Sequence, residues 1–437
     1  MAVRILILGG GFAGIATART LEKKLRPGEA ELTLVSRENF SLFTPMLPEI
    51  GSGTLETRHV VTPVRAQLRR TSFVLGDVRH IDLAAKIVVV EHMLAGFTQN
   101  LAYEHLVIAL GSVTSTFGLP GIAERSIPYK TLEDADRVRN HVIAMLELAD
   151  VTSDPVERKR LLTFVFVGGG FTGVEAAGEM ADFFRSTTRF YPTIAAGAID
   201  VYLVEGGKKL LPDLQAGMGE YSAQALARRG VRVLVDTFVA GADARGLQLE
   251  DGTTIPTATI VWSAGVKPSP VVAALSIGTG RGGSVAVARD LSVPNYPGVW
   301  AIGDCAAIPD PDQRGSNYPA TAQHAIREGP VLGANIVAQL RGLPTRKFRY
   351  RSMGMMASIG ARRGVAGLRR KFLITGFPAW LLWRTYYLAR LPGRDRQLRV
   401  AFDWTLGLFF PRDIAELRVY SRIAQERAER EAGIVPE

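Results

Sequence analysis

Two glycine arrays are the first residues in this sequence whose types and spacing point to chemistry. Gly9, Gly11 and Gly14 stand in Gly9-Gly10-Gly11-Phe12-Ala13-Gly14, and Gly168, Gly170 and Gly173 in Gly168-Gly169-Gly170-Phe171-Thr172-Gly173. Each array follows an apolar run of buried-strand type, Val3–Leu8 or Leu161–Val167, and opens a helical stretch, to Leu25 or to Phe184. In that setting the first glycine permits a tight turn, the second lets backbone approach a pyrophosphate, and the third packs helix on strand. The helix N-terminus then attracts the phosphate charge. The expectation is dinucleotide binding, twice in one chain.

Acidic residues near these turns sharpen that expectation. Glu205 ends the second strand of the second unit, where a carboxylate accepts hydrogen bonds from adenosine ribose hydroxyls; the plain alternative is a solvated strand-end acid. A 2′-phosphate there would meet a like charge, costing roughly 4 kcal/mol at 4 Å and an effective dielectric near 20, about a thousandfold in affinity. NADH is therefore expected over NADPH. In the first unit Ser36 occupies the same place, followed by Arg37 and Glu38, so the ribose acid is missing. Ser36 still offers one hydrogen bond, and Arg37 can stack on adenine. Asp304 follows the apolar run Val299–Ile302 and is read as binding a ribityl hydroxyl at a helix N-terminus, against the alternative of an ordinary cap. Glu175 lies two residues beyond Gly173. It either serves the helix dipole or sits near a nicotinamide or flavin ring, positioning the hydride donor or relaying protons.

The elements that must position these residues are written twice. Leu32–Ser36 corresponds to Val201–Glu205, and Leu106–Gly111 to Ile260–Gly265, both pairs in the same order after their glycine turns. The fold class expected is α/β: two Rossmann-like dinucleotide-binding domains, the second inserted in the first, plus a C-terminal membrane-associating region. Boundaries are placed at 1–154 and 281–345 for a discontinuous FAD domain, 155–280 for an NADH domain, and 346–437 for a membrane-association or dimerisation region.

The 437 residues are 47% hydrophobic, ample for real cores. Fifty-two basic against 42 acidic side chains give a net charge of +10, with Arg dense from Arg362 to Arg430. Such a surface suits an anionic membrane surface, nucleic acid or anionic cofactors, and charge alone does not choose among them; the partner expected is a membrane surface and not nucleic acid. The single cysteine, Cys305, excludes an intrachain disulfide, a redox cysteine pair or a thiolate metal cluster, and is read as a small packing residue. Met1–Ala18 is apolar, but Gly9-Gly10-Gly11 interrupts it, so it is read as mature structure. No stretch reaches the roughly 20 uninterrupted apolar residues that span a bilayer. Pro378 suits a first helical turn and Pro392-Gly393 stops it, leaving about 14 residues. Trp380, Leu381, Leu382, Trp383, Tyr386, Tyr387 and Leu388 are expected to enter lipid from that helix, with Arg384 and Arg390 at the headgroups; a core or dimer helix is the alternative. Leu398–Leu408 reads as either strand or helix.

Gly168–Glu179 resembles the second nucleotide motif of type II NADH dehydrogenases, the single-chain NADH:quinone oxidoreductases. So does Asn39-Phe40-Ser41-Leu42-Phe43-Thr44-Pro45-Met46-Leu47-Pro48, which in that family approaches the flavin ring. Further matches are Trp262-Ser263-Ala264-Gly265-Val266, Gly303-Asp304-Cys305-Ala306, Ala322-Gln323-His324-Ala325 and, for the C-terminal region, Gly376–Trp383. The resemblance implies hydride transfer from NADH to FAD and reduction of quinone, without proton pumping. It puts the catalytic glutamate at Glu175. The family's quinone motif, Ala-Gln, two residues, then commonly two glutamines and glycine, keeps Gln323 here but has Arg327-Glu328 for the pair. Gln323 is accordingly assigned a catalytic role, and Gln323 with Arg327 the quinone, although a surface or structural ion pair suits Arg327 equally. The FAD contacts expected are Gly9, Gly11, Gly14, Ser36, Arg37, Pro45, Val78, Ala109, Gly111, Asp304 and Gln323. Those for NADH are Gly168, Gly170, Gly173, Glu175, Glu205, Ala264 and Gly265. The expected place is the cytoplasmic face of the cell membrane, as a peripheral protein and a possible homodimer. A soluble electron carrier as acceptor, or a slowly turning NADH-binding scaffold, are the competing readings; sulfide oxidation is disfavoured because its cysteine pair is absent.

Overall fold

The computed structural model describes residues 2–417 except 94, 196, 213–216, 314, 353 and 369–371. In chain order, the elements that matter for function begin with β1 (Val3–Leu8), α1 (Phe12–Lys24), β2 (Ala30–Ser36), α2 (Leu47–Gly51), β3 (Thr71–Leu75), β4 (His105–Ile108) and β5 (Ser126–Pro128). They continue with α3 (Leu132–Val151), β6 (Thr163–Val167), α4 (Phe171–Thr187), β7 (Asp200–Val204), β8 (Val231–Leu234), β9 (Thr259–Trp262) and β10 (Val299–Ala301). The last are α5 (Ala322–Leu340), β11 (Gly354–Ser358), β12 (Gly364–Leu368), β13 (Phe372–Gly376), α6 (Phe377–Arg390) and α7 (Arg394–Leu406). Leu161, expected in a strand, instead ends a short helix, Pro155–Leu161. Asp154 caps that helix and Pro155 opens its first turn, which are strong local start signals.

Two compact units result: residues 1–42, 61–113 and 266–351 in the first, and 43–60, 114–265 and 352–437 in the second. The expected boundaries at 154/155 and 345/346 therefore fall inside the second unit and close to the edge of the first, respectively. In the first unit the sheet order is β10-β4-β1-β2-β3, parallel throughout. In the second it is β5-β9-β6-β7-β8, again parallel. Ile7 is flanked by Leu34 and Val107, as Phe166 is by Leu203 and Val261, so the two glycine turns leave equivalent central strands. Parallel sheets with both faces covered need continuous apolar runs, and Ile5, Leu6, Ile7 and Leu8 are all buried. α5 lies on α1 through small residues: a Cβ on Gly329 would stand 2.6 Å from the Ala16 Cβ.

The C-terminal part of the second unit is an antiparallel sheet, β11-β12-β13, with α6 and α7 after it. α6 rests on β12 at Gly364, where a Cβ would come within 2.8 Å of the Trp380 nitrogen. Leu398–Leu408, ambiguous in sequence, is mostly helix α7, in which Val400 and Trp404 are buried one turn apart.

Candidate active site: two nucleotide cradles and a buried acid

The two glycine turns have one geometry. Gly9 and Gly168 hold φ of +115° and +111°, and Cβ atoms there would meet the Ala109 carbonyl oxygen at 2.1 Å and the Ala264 nitrogen at 2.8 Å. Only glycine fits such a left-handed turn against backbone. Cβ atoms on Gly14 and Gly173 would lie 1.9 and 1.8 Å from the carbonyl oxygens of Gly9 and Gly168, so helix and strand close tightly. Gly11 and Gly170, by contrast, face open space, with nothing within 4 Å. These two glycines are the N-caps of α1 and α4, and neither helix start carries a side-chain cap. α3 shows the ordinary solution, a capping box between Thr131 and Asp134. A helix N-terminus with no side-chain cap beside an open glycine is what a pyrophosphate needs, so the residues present fit a dinucleotide at each turn.

Glu205 is locked to its turn: Gly169 and Gly207 donate backbone N–H groups to its two carboxylate oxygens, the latter at 2.6 Å. Its remaining lone pairs suit ribose hydroxyls. At the matching place, Ser36 Oγ accepts the Glu38 N–H at 3.4 Å, and a Cβ on Gly10 would meet that Oγ at 2.7 Å. Arg37 is largely exposed and lies 3.9 Å from Asp77, an acid that the sequence did not single out. Val78 is buried in the strand Asp77–Asp82. Ala109 and Gly111 follow β4, Ala109 against Gly9 and Gly111 with φ +65°. Pro45 lies in the turn Thr44–Met46, within the second unit. Ala264 and Gly265 follow β9, and Gly265 has φ +86° against the Phe117 ring.

Asp304 accepts a hydrogen bond from Ser112 Oγ at 2.8 Å. The helix expected directly behind it is a single 3-10 turn, Gly303–Cys305, and the long helix α5 starts only at Ala322. Glu328 of α5 accepts the Gly303 N–H at 2.7 Å; burial above all, with Asp304 nearby, pushes its carboxyl up to about 7. One member of the replaced glutamine pair thus ties α5 to the Asp304 turn. Cys305 is buried, and desolvation pushes its thiol up to about 12, consistent with packing. Gln323 Oε1 accepts from the Tyr350 hydroxyl at 2.8 Å, and Arg327 donates to the Gln323 carbonyl at 2.6 Å with its guanidinium 4.2 Å over the Tyr350 ring. Tyr350 holds both residues, and nothing in its spacing announced this.

Glu175, one turn into α4, is 6% exposed. Its Oε1 accepts two bonds, from the Ser358 N–H at 2.9 Å and from Trp383 Nε1 at 3.0 Å. Burial pushes its carboxyl up to about 8 against the pull of those donors, with the charges of Glu49 and Glu179 adding to the rise. Glu49 pairs with Arg384 at 3.1 Å and accepts from Trp404 Nε1 at 3.0 Å, and burial raises it to about 7. Glu179 is bound by Arg412 at 2.7 Å and by the hydroxyls of Ser52 and Thr54. The Arg384 guanidinium lies between the Trp380 and Trp404 rings, 4.1 and 4.4 Å from their centroids.

This network corrects the reading of α6. Trp380 and Trp383 are 8% and 2% exposed, and Arg384 is paired inside the unit, so these three face protein rather than lipid. For Trp383 and Arg384 the physical reason is that a buried indole N–H and a buried cation need acceptors, which Glu175 and Glu49 supply; Trp380, whose Nε1 finds no acceptor among the described residues, is covered by the Arg384 guanidinium on its ring. The exposed large apolar side chains of α6 are Phe377 and Leu381, four residues apart. Leu398, Phe402 and Leu406 form an exposed apolar stripe on α7 at the same spacing, followed by Leu408, Phe409 and Phe410.

Residues 3–329 match the pyridine nucleotide-disulphide oxidoreductase family, and residues 353–413 match the NDH2 C-terminal domain. A type II NADH:quinone oxidoreductase of Mycobacterium tuberculosis is 34% identical over 418 residues, which cover 92% of this chain and 87% of that one. A probable NADH dehydrogenase of Dictyostelium discoideum is 31% identical, covering 94% and 91%. In backbone the chain is similar to NDH2 of Plasmodium falciparum solved in complex with NADH, with a TM-score of 0.85 over 95% of this chain and 100% of that one, at 21% identity. The chain belongs to the pyridine nucleotide-disulphide oxidoreductase family, in its branch of type II NADH dehydrogenases.

Proposed function

We propose that this chain oxidises NADH through FAD and reduces a membrane quinone by two electrons, without pumping protons. The observation that carries this reading is the pair of uncapped glycine cradles, only the second of which has a carboxylate locked against its turn. FAD bound in the first cradle would supply hydride acceptance from NADH and electron delivery to quinone. Gly9, Gly11 and Gly14 would hold its pyrophosphate, with Ser36, Asp304 and Gln323 on its hydroxyls and ring. Glu205 would hold the NADH ribose and disfavour a 2′-phosphate. Oxidation of NADH releases one proton fewer than quinol formation consumes, so one proton must come from solvent. Glu175, neutral at pH 7 with its carboxyl near 8, is suited to hold it. Gln323 and Arg327, ordered by Tyr350, are proposed on the quinone.

The second proposal concerns place. Among the described residues no helix is long and apolar enough to cross a membrane. The stripe of Leu398, Phe402 and Leu406, with Phe377 and Leu381, suits insertion into the interfacial layer, and the basic residues of the C-terminal region suit anionic headgroups on the cytoplasmic face. A homodimer would cover the same side chains, so vesicle binding by monomers at low salt favours lipid.

Anaerobic addition of NADH, followed by a quinone analogue, tests the reaction directly. Flavin absorbance should bleach and then return. Bleaching by NADH without return on quinone addition would leave the donor half standing and overturn the acceptor.

A further inference from the structure

Both hydrogen bonds to Glu175 fall on one carboxylate oxygen. The Ser358 N–H and Trp383 Nε1–H both point at Oε1, while no hydrogen bond to Oε2 is found among the described residues. An N–H donor cannot share an oxygen that carries a proton as favourably as a bare one, so the proton of the neutral acid belongs on Oε2. Trp383 cannot swing away cheaply. Its ring is 2% exposed and packs edge-on against Tyr387 at 4.9 Å, and α6 is seated on β12 at Gly364.

We propose that Trp383 is a positioning residue for the acid: its indole N–H, together with the Ser358 amide, fixes Glu175 in one orientation, sets its proton affinity and leaves Oε2 as the atom that exchanges the proton. The inference rests on the reading of Glu175 as the proton-holding group. The other groups facing it are accounted for. Glu49 from α2 is paired with Arg384, Glu179 farther along α4 with Arg412, and Asp182 with Arg229. Tyr387 on α6 is held neutral by burial, with the Glu175 charge adding to that. The two near carboxylates therefore have cations of their own, and the indole is the donor that a substitution can remove from Glu175 while leaving those pairs in place. Ser358 offers a built-in control, because Ser358→Ala keeps the amide that donates.

The test is a pH titration of the flavin-loaded protein by infrared difference spectroscopy, following the carboxylic acid band that disappears in Glu175→Gln. In Trp383→Phe the midpoint of that band should move upward by about one pH unit, the size expected when one hydrogen bond to a charged group is lost. The alkaline limb of kcat should move with it, while KM for NADH changes little. Ser358→Ala should leave the midpoint in place. An unmoved midpoint in Trp383→Phe, or an equal shift in Ser358→Ala, overturns the inference. Should Trp383→Phe not fold, the native protein labelled with 15N-tryptophan decides: one of its five indole N–H signals should follow the Glu175 titration and lose that dependence in Glu175→Gln. No such signal overturns the inference. If Glu175→Gln turns over normally, the proton-holding role falls, yet the band midpoint still decides whether Trp383 sets the proton affinity.

Discussion

The two nucleotide units share a backbone and differ in what surrounds it. Gly9 and Gly168, Gly14 and Gly173, Gly11 and Gly170 match in torsion, in contact and in open space. Yet Ser36 stands where Glu205 stands, and Ala16 stands where Glu175 stands, each two residues beyond the last glycine. Ala16 is small because α5 presses on it through Gly329. Glu175 can be large and acidic because β11 and α6 bring it an amide and an indole. The cradle is a backbone property and survives duplication, whereas the chemistry beside it is decided by whichever element packs on the helix.

The hardest way to break this comparison is to fill the cradles one at a time. Gly14→Ala places a methyl 1.9 Å from the Gly9 oxygen and should abolish flavin retention. Gly173→Ala, at 1.8 Å from the Gly168 oxygen, should leave flavin bound and weaken NADH by about a hundredfold or more, which absorbance per chain and NADH titration would show. If both variants lose the same ligand, the two units do not divide the cofactors. Next in size is donor choice. The native protein should prefer NADH over NADPH by two or more orders of magnitude in kcat/KM, and Glu205→Gln should cut that preference at least tenfold.

Glu175→Gln sharpens the contrast with Ala16. Turnover should fall about tenfold or more while flavin stays bound, because general acid help is lost. The pH dependence of stability supplies an independent reading. Folded Glu175 keeps its proton up to about 8, against a normal value of 4.5, so the folded state holds more protons between those values and this group makes stability fall as pH rises through that window. Melting temperatures should therefore show Glu175→Gln gaining on the native protein from pH 5 to pH 8, with the gain absent below the normal carboxyl range. A constant difference across pH would place the acid in solvent instead. The smallest effect belongs to the stripe that the second unit carries on α7. Phe402→Gln should weaken binding to anionic vesicles by about tenfold with NADH-to-dye activity intact. Trp383→Phe, facing inward, should not alter vesicle binding.

Much of this architecture is legible in the sequence. The apolar runs of β1 and β6, the glycine spacings and the stop at Pro392-Gly393 are local signals, and local signals need no partner to be read. Glu205 is legible for the same reason, since a strand-end acid behind a glycine turn is placed by the βαβ unit itself. β5 is not, being three residues long, and with it the attachment of residues 114–154 to the second sheet stays hidden. Glu49 gives no signal at all, because its partner Arg384 is 335 residues away.

By itself, then, the sequence determined two glycine cradles, their order and the strand-end acid proposed to favour NADH, because each is built within one short stretch of backbone whose geometry glycine and alternating burial dictate. Only the tertiary structure decided which side of α6 faces protein. Trp380 and Trp383 are as apolar as Phe377 and Leu381, and periodicity marks two faces without saying which is covered. The choice follows from the polar atoms of Trp383 and Arg384, which need the buried acceptors Glu175 on α4 and Glu49 on α2, and such pairings exist only once the chain has closed.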